Sequence, residues 1–196
     1  MADDATSSER VSSSIEKSRC HGWANITLHW LLAVLLIYQL LLGWWMLDLP
    51  KSPPGLRAGW FNFHKSIGLS IFIVVLVRLL LRLRDPVSPL ALPDWQRRAA
   101  MGNHALLYAC MLSLPLSGYL GSVFSGYPVR FFGFVIPSWT SAWPAGKQFM
   151  SALHLGLVWA FMSLVGVHVA AALWHWLQRD GVTARMGLPS LRRRSP

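Results

Sequence analysis

This chain of 196 residues predicts an all-α fold, a transmembrane four-helix bundle, and three observations predict it. Hydrophobic residues make up 54% of the chain and charged ones only 13%, too little charge to coat a soluble globule. The apolar residues gather into four long runs instead of alternating with polar ones. Each run reaches the roughly 20 residues that a helix needs to cross about 30 Å of hydrocarbon.

The polar, Ser-rich opening stretch (1–20) reads as a disordered cytoplasmic tail, because it lacks the apolar segment of a signal peptide. The four-helix domain then occupies 21–180. Its first span runs from about Ala24 to Leu47 and ends in a Pro/Gly-rich connector. The second runs from His64 to Leu83 and ends in the charged connector RLRDPVSPLALPDWQRR. The third covers Asn103 to Phe124 and the fourth Ser151 to Leu177, with a basic cytoplasmic tail at 181–196. Between the last two spans, the segment from Ser125 to Lys147 is too apolar for a free aqueous loop and too broken by proline to cross. It is expected to lie against the outer membrane face, covering whatever sits there.

The net charge of +10 raises the question of nucleic acid, but no nucleic-acid motif is present and the cations cluster at the ends of the apolar runs. They read as topology signals and lipid-headgroup contacts. Thirteen Lys and Arg fall on the side of the two termini and the second connector. Five fall on the other: Lys51, Arg57, Lys65, Arg130 and Lys147. Both termini are therefore expected in the cytoplasm, with Trp44, Trp45, Trp60, Trp139 and Trp143 at the outer boundary.

Seven histidines carry the functional signal: His21, His29, His64, His104, His154, His168 and His175. An ionisable group inside a bilayer is expensive, so each one within a span is a candidate by default. With the termini inside, His64 and His154 share an outer level, and His29 and His168 an inner one. His154 and His168 are fourteen residues apart, nearly four turns, so they project from one face about 21 Å apart. A neutral imidazole is a good axial ligand for haem iron, and facing helices of a bundle are where such sites are built. Two levels, each with one imidazole from either side, make room for two six-coordinate haems. A helix–helix hydrogen bond is the plain alternative for any one histidine, but two level pairs favour the haem reading. The two cysteines, Cys20 and Cys110, form no Cys-x-x-Cys, which argues against an iron–sulfur cluster, and the absence of Cys-x-x-Cys-His excludes thioether-linked haem.

Other residues fit the same plan. Gly43, fourteen residues after His29, is expected to leave room for the outer macrocycle, and Gly68 lies one turn from His64. Arg78, fourteen residues after His64, faces the inner level, where it can pair with a haem propionate. His175, two turns beyond His168, is a candidate to hydrogen-bond a quinone headgroup. His21 and His104 are expected near the cytoplasmic boundary, in surface or interfacial roles. Among the outer cations, Lys65 and Arg57 are the candidates to draw in an anionic substrate, Lys65 because it follows His64 directly.

The stretches TLHW, FNFHKSIGLSIFIVVLVRLLLRLRDP, LLYACMLSLPLSGYL, FFGFVIP and LHLGLVWAFMSLVGVHVAAALWHW resemble, in this order, the bacterial cytochrome b561 family, which includes superoxide oxidases. The resemblance implies a di-haem b protein of the bacterial inner membrane, with iron held by His29 and His168 on the inner side and by His64 and His154 on the outer. It further implies oxidation of superoxide to dioxygen at the outer face and ubiquinone as the electron acceptor. A different role is a haem-bearing relay subunit that passes electrons between a partner dehydrogenase or hydrogenase and quinone. A haem-free transporter is a third.

Overall fold

The computed structural model describes residues 2–52, 55–84 and 92–187, with side chains from Trp23 onward. The connector residues 85–91 and the basic end 188–196 lie outside the described residues, as do the side chains of Cys20 and His21. Four helices carry the architecture: α1 (Ala2–Trp45), α2 (Leu56–Arg84), α3 (Asp94–Val123) and α4 (Pro144–Gln178). A two-stranded hairpin, β1 (Val129–Phe131) and β2 (Phe134–Ile136), joins α3 to α4, and a short 3-10 turn (Thr183–Met186) follows α4.

All four helices are long and apolar enough to cross a bilayer, α1 through its Trp23–Trp45 portion. Only 6% of the residues in the most apolar window of α4 are fully buried against protein, so much of that helix presents apolar surface to lipid tails. The helices overrun the expected spans. Helix α2 begins two turns before His64, because LRAGWFNF holds no proline and its one glycine, Gly59, is tolerated in the helix, and α3 begins at Asp94, where DWQRRAAMG extends it beyond the hydrocarbon. The helical path of α1 likewise runs back to Ala2, through the stretch expected to be irregular.

A buried cluster of Leu32, Ile71, Val75, Leu107, Cys110, Met111 and Phe161 draws on all four helices and sits mid-bundle. It separates the two ends of the interior from each other. Helices α3 and α4 pack along one another and α2 lies between α1 and α3. Helix α1 reaches α4 through side chains, with Trp44 edge-on to Trp159 at 6.0 Å and His29 edge-on to His168 at 6.1 Å.

The hairpin replaces an expected irregular loop. Its two-residue turn, Phe132–Gly133, has φ of 45° and 96°, the paired positive angles of a tight hairpin turn. Gly133 adopts that angle freely; Phe132 does not, and is held there by Ser66 of α2. The Ser66 hydroxyl accepts from the Phe132 N–H at 2.9 Å, and its own proton lies within reach of the Asn62 and Arg130 carbonyls. Val129 is fully buried beneath. The segment therefore covers one end of the bundle, as expected of it.

The hairpin's far end is anchored by Trp143, whose N–H donates to the Phe124 carbonyl at 3.0 Å and whose ring meets Phe124 edge-on. That indole lies on Gly146, where a Cβ would come within 2.1 Å of Cε3. Gly146→Ala is expected to push the indole off its seat and to cost about 1–3 kcal/mol. The check is a chemical-unfolding midpoint in detergent together with a shift in tryptophan emission; unchanged values would show that the contact is dispensable.

Candidate functional site

At the hairpin end of the interior lies a cavity of about 610 Å³, lined by all four helices and reached by His64 and His154. Each of these imidazoles rests against a glycine of the neighbouring helix. A Cβ on Gly43 would stand 3.3 Å from Cε1 of His64, and one on Gly118 would stand 3.4 Å from Cε1 of His154. Gly43 was expected to make room for a macrocycle. It lines the cavity, in close contact with the His64 ring. Gly68 also lines the cavity, and what it accommodates is the Gln39 amide at 3.3 Å.

The His154 ring is oriented by α3. Its Nδ1 lies 3.0 Å from the Leu114 carbonyl and 3.0 Å from the Ser117 hydroxyl. A carbonyl only accepts, so Nδ1 carries the proton and Nε2 keeps its lone pair. That is the tautomer a metal-ligating histidine needs, with its second nitrogen tied to a carbonyl. Pro115 lies in this turn, and its missing N–H removes the helical donor to the Met111 carbonyl, a break that membrane helices tolerate. His64 differs, since its Nδ1 is buried with no hydrogen-bond partner.

Lys65 lines this cavity, and so does Lys147 from the first turn of α4. Arg57 does not. Its guanidinium donates to the Leu49 carbonyl at 3.0 Å and lies over the Phe61 ring, which fastens the α1–α2 turn. Arg130 is exposed on the hairpin.

At the opposite end His29 and His168 face one another with ring centroids 6.1 Å apart. Imidazole–metal bonds run at about 2.0–2.1 Å, so two imidazoles on opposite sides of one metal atom have centroids roughly 6 Å apart. Arg78 lies close enough to interact electrostatically with His29, His104 and His168. His104, expected in a surface or interfacial role near the cytoplasmic boundary, is half-buried three turns into α3, and its ring is 5.3 Å from that of His168. Its Nδ1–H donates to the Ala100 carbonyl at 2.7 Å.

His175 lies apart from this group. It is paired through Nδ1 with Asp180, whose other oxygen accepts from the Val182 N–H at 3.0 Å. The chain then turns back against α1 near the start of its apolar Trp23–Trp45 portion, where the Trp30 indole N–H donates to the Met186 carbonyl at 3.0 Å. Burial alone would raise the Asp180 carboxyl, but the His175 and Val182 hydrogen bonds outweigh it and hold the group below its ordinary value. A depressed carboxylate contributes stability above its unfolded-state value and loses it as pH falls through the folded one. Docking of 180–187 is therefore expected to weaken as pH drops below the ordinary carboxylate range. Amide exchange at Val182 and Trp30 emission would report it, and a response unchanged in Asp180→Asn would refute the assignment.

The donor sets fit haem. Among the described residues no cluster of three or more His, Cys, Asp or Glu could cage a bare metal ion, whereas paired imidazoles supply the two axial ligands that a porphyrin leaves open. The glycine-backed imidazoles, the His154 tautomer that leaves Nε2 its lone pair and the apolar cavity suit such a group. Fold and site together define a membrane-spanning haem-b electron-transfer protein.

The family model for prokaryotic cytochrome b561 matches residues 21–188. Cytochrome b561 homolog 2 of Escherichia coli (strain K12) is 32% identical over 175 residues, 85% of this chain and 90% of that protein. Cytochrome b561 homolog 1 of the same organism is 30% identical, over 63% of this chain and 72% of its own. The probable superoxide oxidase CybB of Yersinia pestis is 26% identical, over 83% and 92%. The chain belongs to the prokaryotic cytochrome b561 family, and haem b comes with that membership.

Proposed function

We propose that this protein takes electrons from superoxide at its outer face and delivers them to ubiquinone in the bacterial inner membrane, with both termini in the cytoplasm. The observation that carries the reading is the pairing of imidazoles at two levels, the outer pair opening into a cavity that Lys65 and Lys147 also line. His64 and His154 would hold one haem b, and His29 and His168 a second, with Arg78 beside the inner one. When bound, the two haem irons supply one-electron exchange, which matches superoxide, a one-electron donor, to quinone, a two-electron acceptor. Two superoxide anions leave as dioxygen for each quinone that gains two electrons and two protons.

The chain's own residues do the rest. Lys65 and Lys147 attract the anion toward the outer cavity. Leu114 and Ser117 fix the tautomer of His154. The hairpin, latched by Ser66, shields the outer site from water. His175 is the candidate contact for the quinone, through the imidazole nitrogen that Asp180 leaves free. Stopped-flow mixing of the purified, oxidised protein with superoxide tests the reading. Haem reduction is expected, followed by reoxidation only when quinone is present. A haem spectrum indifferent to superoxide would overturn it, and a partner dehydrogenase co-purifying in mild detergent would move the protein to a relay role.

A further inference from the structure

The two outer imidazoles are not equally supported. The His154 Nδ1–H has two acceptors on α3, whereas Nδ1 of His64 is buried with none. A ligand histidine bound through Nε2 presents Nδ1 as a donor, and such donors are nearly always given an acceptor that orients the ring and raises its basicity. A matching acceptor lies next to it. Gln39 of α1 donates through Nε2 to the backbone carbonyl of His64 itself, at 2.7 Å. A carbonyl only accepts, so the amide's orientation is fixed by chemistry, and Oε1 points the other way. That Oε1 is buried and has no partner.

The surroundings hold the amide in place. Gly68, one turn beyond His64, gives it a notch, since a Cβ there would come within 3.3 Å of Nε2. Gly43, one turn beyond Gln39, seats the His64 ring. One face of α1 therefore holds both the backbone and the imidazole of the same residue. Gln39, His64, Gly43 and Gly68 all line the outer cavity. Two buried orphans of opposite character, one donor and one acceptor, flank one helix contact. With the amide fixed by its bond to the His64 carbonyl, a single bridging water joins them.

We propose that Gln39 is the positioning residue for His64, accepting its Nδ1–H through Oε1 and so setting the ligand's orientation and electron-donating strength. The proposal rests on the di-haem reading above. Its role parallels that of Leu114 and Ser117 toward His154, supplied from the opposite side of the bundle. A stronger acceptor on a ligand imidazole favours the ferric state, and its removal favours the ferrous state.

The test is a redox titration of the full-length, haem-loaded protein with each haem followed by its ferric electron-paramagnetic-resonance signal, the inner one identified in His154→Leu. Gln39→Leu is expected to keep the haem content, raise the outer midpoint, shift the outer signal and leave the inner haem unchanged. Gln39→Glu, a stronger acceptor, is expected to move the outer midpoint down. Loss of the outer haem in Gln39→Leu that Gln39→Glu restores also supports the role, because the two side chains share size but not acceptor. Midpoints and signals unmoved in both variants, shifts of the same sign in both, or outer haem lost from both would overturn it. A parent protein that binds no haem after adequate supply would sink the di-haem reading itself, a result distinct from any of these.

Discussion

His154→Leu is expected to remove the outer haem while the inner one remains, so that bound haem falls from two per chain to one. The loss should be large, because the outer site then keeps one of its two imidazoles and the macrocycle would be held from one side only. The bundle should survive the change. The Leu114 carbonyl keeps the Ser117 hydroxyl at 2.9 Å, so removing the imidazole strands no buried acceptor, and leucine suits the apolar lining. The mid-bundle cluster from Leu32 to Phe161 separates the levels and includes none of the four ligand candidates. His168→Leu is the mirror experiment and should spare the outer haem. Haem-to-protein ratios from pyridine haemochrome spectra decide it. A ratio equal to the parent's in either variant would remove that histidine from the ligand set.

Much of this plan could be read from residue spacing. Helical periodicity fixes both direction and depth, so a fourteen-residue separation on one helix already places His154 and His168 on one face at two levels. Membership of a span was equally legible, because apolar length is a property of sequence alone. What escaped were features set by neighbours. Gly118, Ser117 and Gln39 gain meaning only from the imidazoles that other helices bring against them, and no period within a single helix announces them. The Ser-Gly pair after Pro115 was the one available hint. The start of the third helix was placed late because hydropathy marks where a helix enters hydrocarbon, whereas α3 begins nine residues earlier at Asp94. Arg57 and Lys65 looked alike as charges near one boundary. The fold separates them, spending the first on a turn carbonyl and an aromatic face and leaving the second on the cavity wall.

The Lys65→Glu, Lys147→Glu double variant should slow haem reduction by superoxide at least about tenfold at low ionic strength. Both lysines line the outer cavity from different helices, so reversing them turns an attractive mouth into a repulsive one. Electrostatic focusing of this kind raises association rates by roughly 10–10³ where charges of one sign line a cleft with low-dielectric walls. The ligands stay in place, so the haem content should match the parent's, while two carboxylates in place of ammonium groups on the cavity wall should lower the midpoint of the haem held there. Salt supplies the decisive control. At about 0.1 M the Debye length is near 10 Å, and at 1 M near 3 Å, so parent and variant rates should converge as salt rises. A slowing that persists unchanged in high salt would mean that the lysines act on cavity structure. Equal rates at low salt would mean that superoxide reaches its electron acceptor by a route these two cations do not govern.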